Sequence, residues 1–315
     1  MRLLITGGAG CLGSNLIERY FPQGHEICVI DNFATGKREV VPEQPGLRVI
    51  EGSILDPELV GSAFEDFRPT HVIHSAAAYK DPNDWVEDAQ TNVLGSIHVA
   101  KAALKAGVAR LINFQTALCY GRPSVVPIPV EHQAAPFTSY GISKTAGESY
   151  LMQSGLPVVS LRLANICGPR LAIGPIPTFY KRLKAGQNCF CSDTIRDFLD
   201  MSDFFRLMDL VLEDSAPTGV FNVSTGKGYS ILDVFCAVAD YLGIEAPEVP
   251  VVPAGEDDVS QVVLEPALTT KIFDWQARVD FKQTITNQLA WYDQFGISDV
   301  YSHLAQPAVT KNQIS

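Results

Sequence analysis

The residues best suited to acid–base chemistry are a threonine, a tyrosine and a lysine in the middle of the chain. Tyr140 and Lys144 stand four positions apart in "SYGISKTAGES", so they share one face if this stretch is helical. A neighbouring ammonium stabilises phenolate, which would make Tyr140 a usable base near neutral pH, and Thr116 could hydrogen-bond a substrate hydroxyl. The same Tyr–Lys spacing is common on solvated helix surfaces, so the pair needs a second feature to indicate a site.

A glycine-rich turn near the N-terminus supplies that second feature. Gly7, Gly10 and Gly13 lie in "LLITGGAGCLGS", between a predicted first strand and first helix. Glycines here allow a tight turn, close approach to a pyrophosphate and helix–strand packing, while the helix N-terminus offers free N–H groups. Asp31 ends the second predicted strand, where a carboxylate can bind both adenosine ribose hydroxyls and repel a 2′-phosphate, so the pattern favours NAD over NADP. A structural turn with a capping aspartate remains the alternative.

Alternating strand and helix patterns must position both features. Apolar runs without strict alternation predict strands buried on both faces at 2–6, 26–30, 47–50, 70–74, 110–114 and 158–163. Helical spacing runs from Leu12 to Tyr20 and again over 85–107, where a glycine ends it. The alternation predicts an α/β chain: a Rossmann-type doubly wound parallel sheet with a smaller α/β substrate-binding lobe.

The strand–helix rhythm changes near residue 165, where proline-interrupted loops begin. "GVFNVSTGKGYSI" (219–231) reads as a strand that returns to the sheet. The predicted organisation is a NAD-binding domain over 1–165 with a returning segment near 199–245, a substrate-binding lobe over 166–198 and 246–300, and a tail over 301–315.

Composition and charge narrow the function classes. The 315 residues carry a net charge of −11, which argues against a nucleic-acid partner because a phosphate backbone requires a basic face. There is no run of ~18 apolar residues and the start does not resemble a leader, so we expect no membrane partner and a cytoplasmic location. The seven cysteines lack framework or zinc-like spacing, which favours reduced thiols and no metal site.

Several short motifs follow one another in a recognisable order. They are "TGGAGCLGS" (6–14), "VIHSAA" (72–77), "TNVLGS" (91–96), "TALCYG" (116–121), "YGISK" (140–144), "LRLANICGPR" (161–170) and "RDFLDMSD" (196–203). Over roughly residues 1–295 the chain therefore resembles the extended short-chain dehydrogenase/reductase family, specifically its NAD-dependent nucleotide-sugar epimerase/dehydratase group and the UDP-hexose 4-epimerases of bacterial polysaccharide pathways. The resemblance implies a tightly held NAD that oxidises a sugar carbon to a ketone and later returns the hydride. The cationic nicotinamide of that cofactor would join the Lys144 ammonium in stabilising a Tyr140 phenolate. It also implies a homodimer formed through helices 85–107 and 140–154.

The resemblance assigns roles to individual residues. It implies that Tyr140 is the base, that Lys144 orients the ribose and lowers the tyrosine pKa, and that Thr116 holds the sugar hydroxyl. His74 ends a buried strand, where a hydrogen-bonded structural role near the cofactor is favoured over catalysis. The cofactor-binding candidates are Gly7, Gly10, Cys11, Leu12, Gly13, Asp31, Asn32, Thr35, Gly36, Ser53, Ile54, His74, Ala76, Ala77, Asn92, Tyr140 and Lys144. The substrate-binding candidates are Tyr79, Lys80, Thr116, Asn165 and Arg196.

"TALCYG" distinguishes among the reactions of this group. Dehydratases of the family resemble T-D-E-V-Y-G here and decarboxylases T-S-E-V-Y-G, whereas this chain has Ala117 and Leu118, which cannot transfer a proton. The sequence therefore favours 4-epimerisation of a UDP-hexose or UDP-N-acetylhexosamine through a 4-keto intermediate. The alternatives are a dehydratase whose acid comes from elsewhere, an NAD-dependent alcohol dehydrogenase or reductase, and a non-catalytic NAD-sensing protein.

Arg196 matches a family position that contacts the substrate's diphosphate, and two other positions depart from the family pattern. Arg196 offers a planar fork suited to a diphosphate, but it could instead pair with Asp200 or Asp203. A second diphosphate arginine, common in the family near 253–261, is absent from this sequence, so we expect the diphosphate to be held differently. Gln115 replaces a common serine beside the catalytic hydroxyl.

Overall fold

Strands and helices alternate along the chain, of which the computed structural model describes residues 1–41, 44–79, 81–245, 248–255, 258–297 and 300. The strands are β1 (Arg2–Thr6), β2 (Glu26–Asp31), β3 (Leu47–Glu51), β4 (His71–His74), β5 (Arg110–Thr116), β6 (Val158–Leu163), β7 (Asn165–Cys167), β8 (Cys191–Ser192), β9 (Ile195–Arg196), β10 (Phe198–Asp200), β11 (Gly219–Val223), β12 (Tyr229–Ser230), β13 (Val251–Val252) and β14 (Gln261–Val262). The α-helices are α1 (Cys11–Tyr20), α2 (Pro57–Phe67), α3 (Trp85–Ala89), α4 (Ser96–Ala106), α5 (Ser139–Met152), α6 (Pro175–Lys184), α7 (Met201–Val211), α8 (Ile231–Tyr241), α9 (Ala267–Phe273) and α10 (Phe281–Phe295).

The central sheet confirms the predicted Rossmann-type fold. Within the described residues it has seven strands, all parallel, in the order β11–β6–β5–β4–β1–β2–β3. The order reverses at β1, beside β4, so a crevice opens at the carboxyl ends of these two strands. All six strands predicted from apolar runs are present.

Helices cover both faces of the sheet, which explains why its strands are apolar without alternation. On one face Leu3 and Ile5 of β1 belong to a buried cluster with α1 and α7. On the other face Leu4 belongs to a cluster with α2 and α4. Local signals set where the helices begin and end. Asp56 caps the N-terminus of α2 by accepting from two backbone N–H groups at 3.0 Å, and Gly107 ends α4 at φ 64°.

The helical segment predicted over 85–107 contains an unpredicted wide turn. The segment is α3, then a π-helix at Gln90–Gly95, then α4. Asn92 lies in this wide turn and its side chain bonds outward, accepting from the N–H of Ala78 at 2.9 Å and donating to the Ser143 hydroxyl at 3.0 Å. Helical periodicity carries no signal for one extra residue per turn, so the pattern alone predicts a uniform helix.

A smaller lobe follows β6, and its core lies between α6, α8 and α10. Phe179 and Phe235 meet edge to face there, with ring centroids 5.3 Å apart. Between α6 and α8 the chain returns to the central sheet, where β11 pairs with β6. The division into a cofactor domain and a substrate lobe at the stated boundaries stays a prediction. Within the described residues, no helix is both long and apolar enough to cross a membrane.

A buried ion pair connects α5 to the sheet. Glu148 of α5 and Arg162 of β6 have side chains only 5% and 11% exposed, and Oε2 lies 2.8 Å from Nη2. Glu148 also accepts from the Ser160 hydroxyl at 2.6 Å, so the carboxylate is well compensated for its loss of water. The Arg162 guanidinium lies over the Tyr120 ring at 4.9 Å.

Removal of this carboxylate should destabilise the fold strongly. Glu148→Ala leaves the Arg162 charge buried without its partner, and we expect the free energy of unfolding to fall by about 3–5 kcal/mol. Glu65→Ala removes one partner of the exposed Lys105–Glu65 pair and should lower the free energy of unfolding far less, because solvent screens this pair. Urea unfolding of both variants measures the difference, and equal losses would contradict a structural role for the buried pair.

Candidate functional site

The glycine-rich turn forms a backbone cradle at the crevice. Gly7 has φ 68°, and a Cβ there would lie 2.7 Å from the backbone of Ala76. A Cβ on Gly13 would lie 2.5 Å from the carbonyl oxygen of Gly7, so only glycine lets α1 start this close to β1. Gly10 caps α1 without a side-chain hydrogen bond and the first turn carries no acid, which leaves the helix N–H groups for a phosphate.

Asp31 ends β2 beside this cradle, and its carboxylate is held by the backbone. Oδ2 accepts from the N–H of Ala9 and Oδ1 from the N–H of Phe33, both at 2.8 Å. Each oxygen keeps a further acceptor position, as an adenosine ribose requires. Asp31 therefore makes the backbone contacts expected of a capping aspartate and still has acceptor positions for a ribose. The glycine-rich cradle and the Asp31 carboxylate together fit NAD.

The remaining cofactor candidates line the same edge of the sheet. Asn32 accepts from Ala34 N–H at 3.1 Å, and Ser53 accepts from Leu55 N–H at 3.2 Å. Ile54 is buried and its carbonyl contacts His98. The others are Cys11 and Leu12 at the start of α1, Thr35 and Gly36 after β2, and Ala76 and Ala77 after β4. Their contact with a cofactor stays a prediction, as does that of Asn92.

His74 is fully buried between two hydroxyls. Nδ1 lies 2.8 Å from the Thr6 hydroxyl and Nε2 lies 2.9 Å from that of Ser96. Because Ser96 gives its own proton to the Asn92 carbonyl at 2.7 Å, we assign the His74 proton to Nε2, with Nδ1 accepting from Thr6. Burial, and then the nearby Lys144, lower the pKa of His74 to about 3. A neutral, doubly hydrogen-bonded imidazole is suited to holding β1, β4 and α4 together.

The three catalytic candidates come from two elements at the same end of the sheet. Thr116 is the last residue of β5, and its hydroxyl oxygen accepts from the N–H of Leu118 at 3.2 Å, so its own proton remains available. Tyr140 and Lys144 lie on α5, one turn apart. The Tyr140 ring meets that of Tyr79 edge to face, with centroids 6.2 Å apart.

The protein's own groups act on this pair without the cationic nicotinamide on which the expected Tyr140 base also depends. Burial, and then Tyr79 and Asp88, raise the pKa of Tyr140. Burial lowers the pKa of Lys144 to about 8, against which the charge of Glu148 acts. The protein's own groups therefore keep the phenol protonated, because burial penalises the charged phenolate and Tyr79 and Asp88 add to that penalty. A lowered tyrosine pKa needs a further positive charge, such as that of an oxidised nicotinamide.

Arg196 forms an ion pair that the sequence did not predict. Its guanidinium pairs with Asp258 and donates to the carbonyl of Ile195 at 2.8 Å. The proposed pairing with Asp200 or Asp203 is wrong: Asp200 caps α7, and Asp203 pairs with Arg206. Asp258 lies 62 residues after Arg196, and a pair so far apart in the chain leaves no pattern in the sequence.

A cleft lies beside this ion pair. It has a volume of about 330 Å³, and its walls include Arg122, Gly255, Asp258 and Ser260. Asn165 is exposed and donates to the carbonyl of Asp197 at 2.9 Å. Lys80 lies outside the described residues. Among the described residues, no group of three or more His, Cys, Asp or Glu side chains is placed to hold a metal ion.

Comparison with known proteins gives a consistent set of similarities. The profile described as the NAD dependent epimerase/dehydratase family matches residues 3–224. The crystal structure of the Bordetella bronchiseptica enzyme WbmG in complex with NAD and UDP has a TM-score of 0.93 at 70% identity, covering 98% of this chain and 99% of that chain. The B. bronchiseptica enzyme WbmH in complex with NAD⁺ has a TM-score of 0.89 at 38% identity, with 94% and 99% covered. A UDP-glucose 4-epimerase of Corynebacterium glutamicum is 29% identical over 97% of this chain and 99% of its own length.

The buried neutral His74 should make stability depend on pH. Its pKa in the folded protein is below the ordinary value of 6.5, so the unfolded chain takes up a proton that the folded chain refuses and stability is lost as pH falls below about 6.5. Removing His74 by the variant His74→Gln should reduce the pH slope of unfolding free energy between pH 6 and 5 by up to about 1.4 kcal/mol per pH unit. Urea unfolding of the wild type and the variant at several pH values measures both slopes. Identical slopes would mean that His74 takes up its proton in the folded protein as readily as in the unfolded chain, which contradicts a buried neutral imidazole.

Proposed function

Because the chain belongs to the NAD dependent epimerase/dehydratase family, we propose that it is a nucleotide-sugar 4-epimerase that retains NAD throughout its cycle. A UDP-hexose or UDP-N-acetylhexosamine is the proposed substrate. The UDP held by WbmG and the name of the C. glutamicum relative support this choice of nucleotide.

The observation that carries the proposal is the absence of an acid at the end of β5. Ala117 and Leu118 occupy a short 3-10 helix (Ala117–Tyr120) directly after Thr116. Ala117 is buried and Leu118 packs against the same apolar cluster as Ile128 and Val259. This loop offers no carboxylate that could remove a proton from a ketosugar and expel water, which favours simple removal and return of a hydride.

The chain's own residues divide the work of that reaction. NAD, when bound, supplies the hydride acceptor and, in its oxidised form, a positive charge near the phenol. Tyr140 takes the proton of the C4 hydroxyl as the carbonyl forms and returns it when the other face of C4 is reduced. Thr116 donates to the same sugar oxygen, and Lys144 holds the cofactor ribose beside Tyr140.

Arg196 is the proposed contact for the diphosphate of the substrate. A guanidinium suits phosphate oxygens, and burial in this region strengthens such a contact. In the structure Asp258 already occupies one side of Arg196, so a diphosphate has to bind the remaining donors or displace the carboxylate.

Asp88 is the acid to consider for a dehydratase. It is buried in α3, its charge acts on Tyr140, and burial raises its own pKa. Loss of water from the sugar by the wild type, abolished by Asp88→Asn, would replace the epimerase proposal with a dehydratase.

We also propose a homodimer. Trp85, Val86 and Leu94 on the segment 85–107, and Ile142 and Tyr150 on α5, are between 44% and 70% exposed. Apolar side chains concentrated on adjacent helices favour a protein partner.

We further propose a cytoplasmic location, which the free cysteines support. The proposed role of the reaction is to supply a precursor for a polysaccharide.

The reaction can be tested with purified protein and no added NAD. Incubation with a panel of UDP-sugars should yield an isomer of unchanged mass, identified by mass spectrometry and proton NMR. Tyr140→Phe should lower kcat by about 10²–10⁴-fold, with UDP affinity and NAD content unchanged, because only the proton transfer is lost. Net NADH formation on added NAD would indicate an alcohol dehydrogenase, and a biological effect retained in Tyr140→Phe would indicate a sensor.

The dimer can be tested by charge insertion. The double variant Leu94→Asp, Tyr150→Asp should sediment as a monomer, since two carboxylates cannot be buried in an apolar interface. Phe295→Asp, at an exposed apolar residue of α10, is the matched control and should leave the mass unchanged. A dimeric double variant would place the interface elsewhere.

A further inference from the structure

We propose that Gln115 is a positioning residue that fixes Thr116 relative to the turn of α5 carrying Lys144. The proposal rests on the proposed epimerase function and goes beyond it, because Gln115 would act through the backbones of Thr116 and Lys144. It explains how two catalytic elements that are distant in sequence acquire a defined separation.

The contact has two ends, and both are short. Gln115 is 2% exposed. Its Oε1 accepts from the backbone N–H of Thr116 at 2.7 Å, and its Nε2 donates to the backbone carbonyl of Lys144 at 3.0 Å. An amide is suited to this site because it carries a donor and an acceptor on one planar group.

The connection between the two elements does not fix their separation. Residues 117–138 connect Thr116 to α5. A connection of this length cannot fix the distance between the two elements to within a few tenths of an ångström. Gln115 instead joins the end of β5 directly to the middle of α5. The backbone N–H of Thr116 donates to Gln115, and the Thr116 hydroxyl oxygen accepts from the N–H of Leu118. These two bonds fix the directions of the N–H and the hydroxyl of Thr116.

Gln115 acts at the residue that carries each catalytic group. One end binds the backbone of Thr116 itself and the other binds the backbone of Lys144 itself, and Tyr140 lies one turn before Lys144. Displacement of a catalytic group by about 1 Å can cost ~10²-fold in rate, so loss of this contact should appear in kcat. A serine, the residue common here in relatives, could reach only one of the two groups.

The test compares Gln115→Met with a matched variant of another buried amide. Methionine keeps the length and removes both hydrogen bonds, so we expect kcat on the UDP-sugar to fall about 10–100-fold. KM and UDP affinity should change less than about threefold, since the substrate contacts are retained. Gln288→Met removes a buried amide on α10 and should leave kcat within about twofold.

A second measurement reads the contact without catalysis. Hydrogen exchange of the Thr116 amide should be faster in Gln115→Met than in the wild type, and the amides of α10 should not change. If Gln115→Met does not fold, Gln115→Ser replaces it, with the same expected loss of kcat.

The outcomes separate this inference from the proposed function. A wild type active on a UDP-sugar, with unchanged kcat in the Gln115 variants, overturns the inference and leaves the epimerase intact. Equal losses of kcat in the Gln115 and Gln288 variants would show a general stability effect and also overturn it. A wild type that turns over no UDP-sugar overturns the proposed function.

Discussion

Burial of the Lys144 ammonium is the physical constraint on which the catalytic end of the molecule depends. An ammonium inside a protein loses its hydration, and here that loss lowers its pKa to about 8. Glu148, one turn further along α5, opposes the shift, and Arg162 in turn compensates Glu148 at 2.8 Å. The buried charges therefore extend from α5 into β6, and the carboxyl end of the sheet is held by polar contacts as well as by packing.

Burial also accounts for the state of the neighbouring groups. Loss of solvation first, and repulsion from Lys144 second, lower the pKa of His74, which stays neutral between Thr6 and Ser96. The phenol of Tyr140 also stays protonated in the protein's own field. A site that becomes basic only beside a cationic cofactor would couple proton removal to the presence of the hydride acceptor.

The sequence predicts well whatever is local in the chain. The strands follow from apolar runs, and the cradle at Gly7–Gly13 follows from a strand, glycines and a helix in immediate succession. Contacts between distant segments have no such signal. The Arg196–Asp258 pair and the two-ended contact of Gln115 depend on how loops and helices settle on the finished sheet. The wide turn around Asn92 is a third case, because the Asn92 side chain bonds Ala78 and Ser143, which belong to other segments of the chain. The roles of individual site residues and the domain boundaries remain predictions.

The central claim is that the hydride removed from the sugar returns to the same carbon from a retained cofactor. The most direct measurement uses a UDP-sugar substrate carrying deuterium at C4, incubated in ordinary water without added NAD. The account predicts a C4 epimer of unchanged mass that keeps its deuterium at C4. Loss of the deuterium to the solvent, or a product lighter by one water, would contradict it.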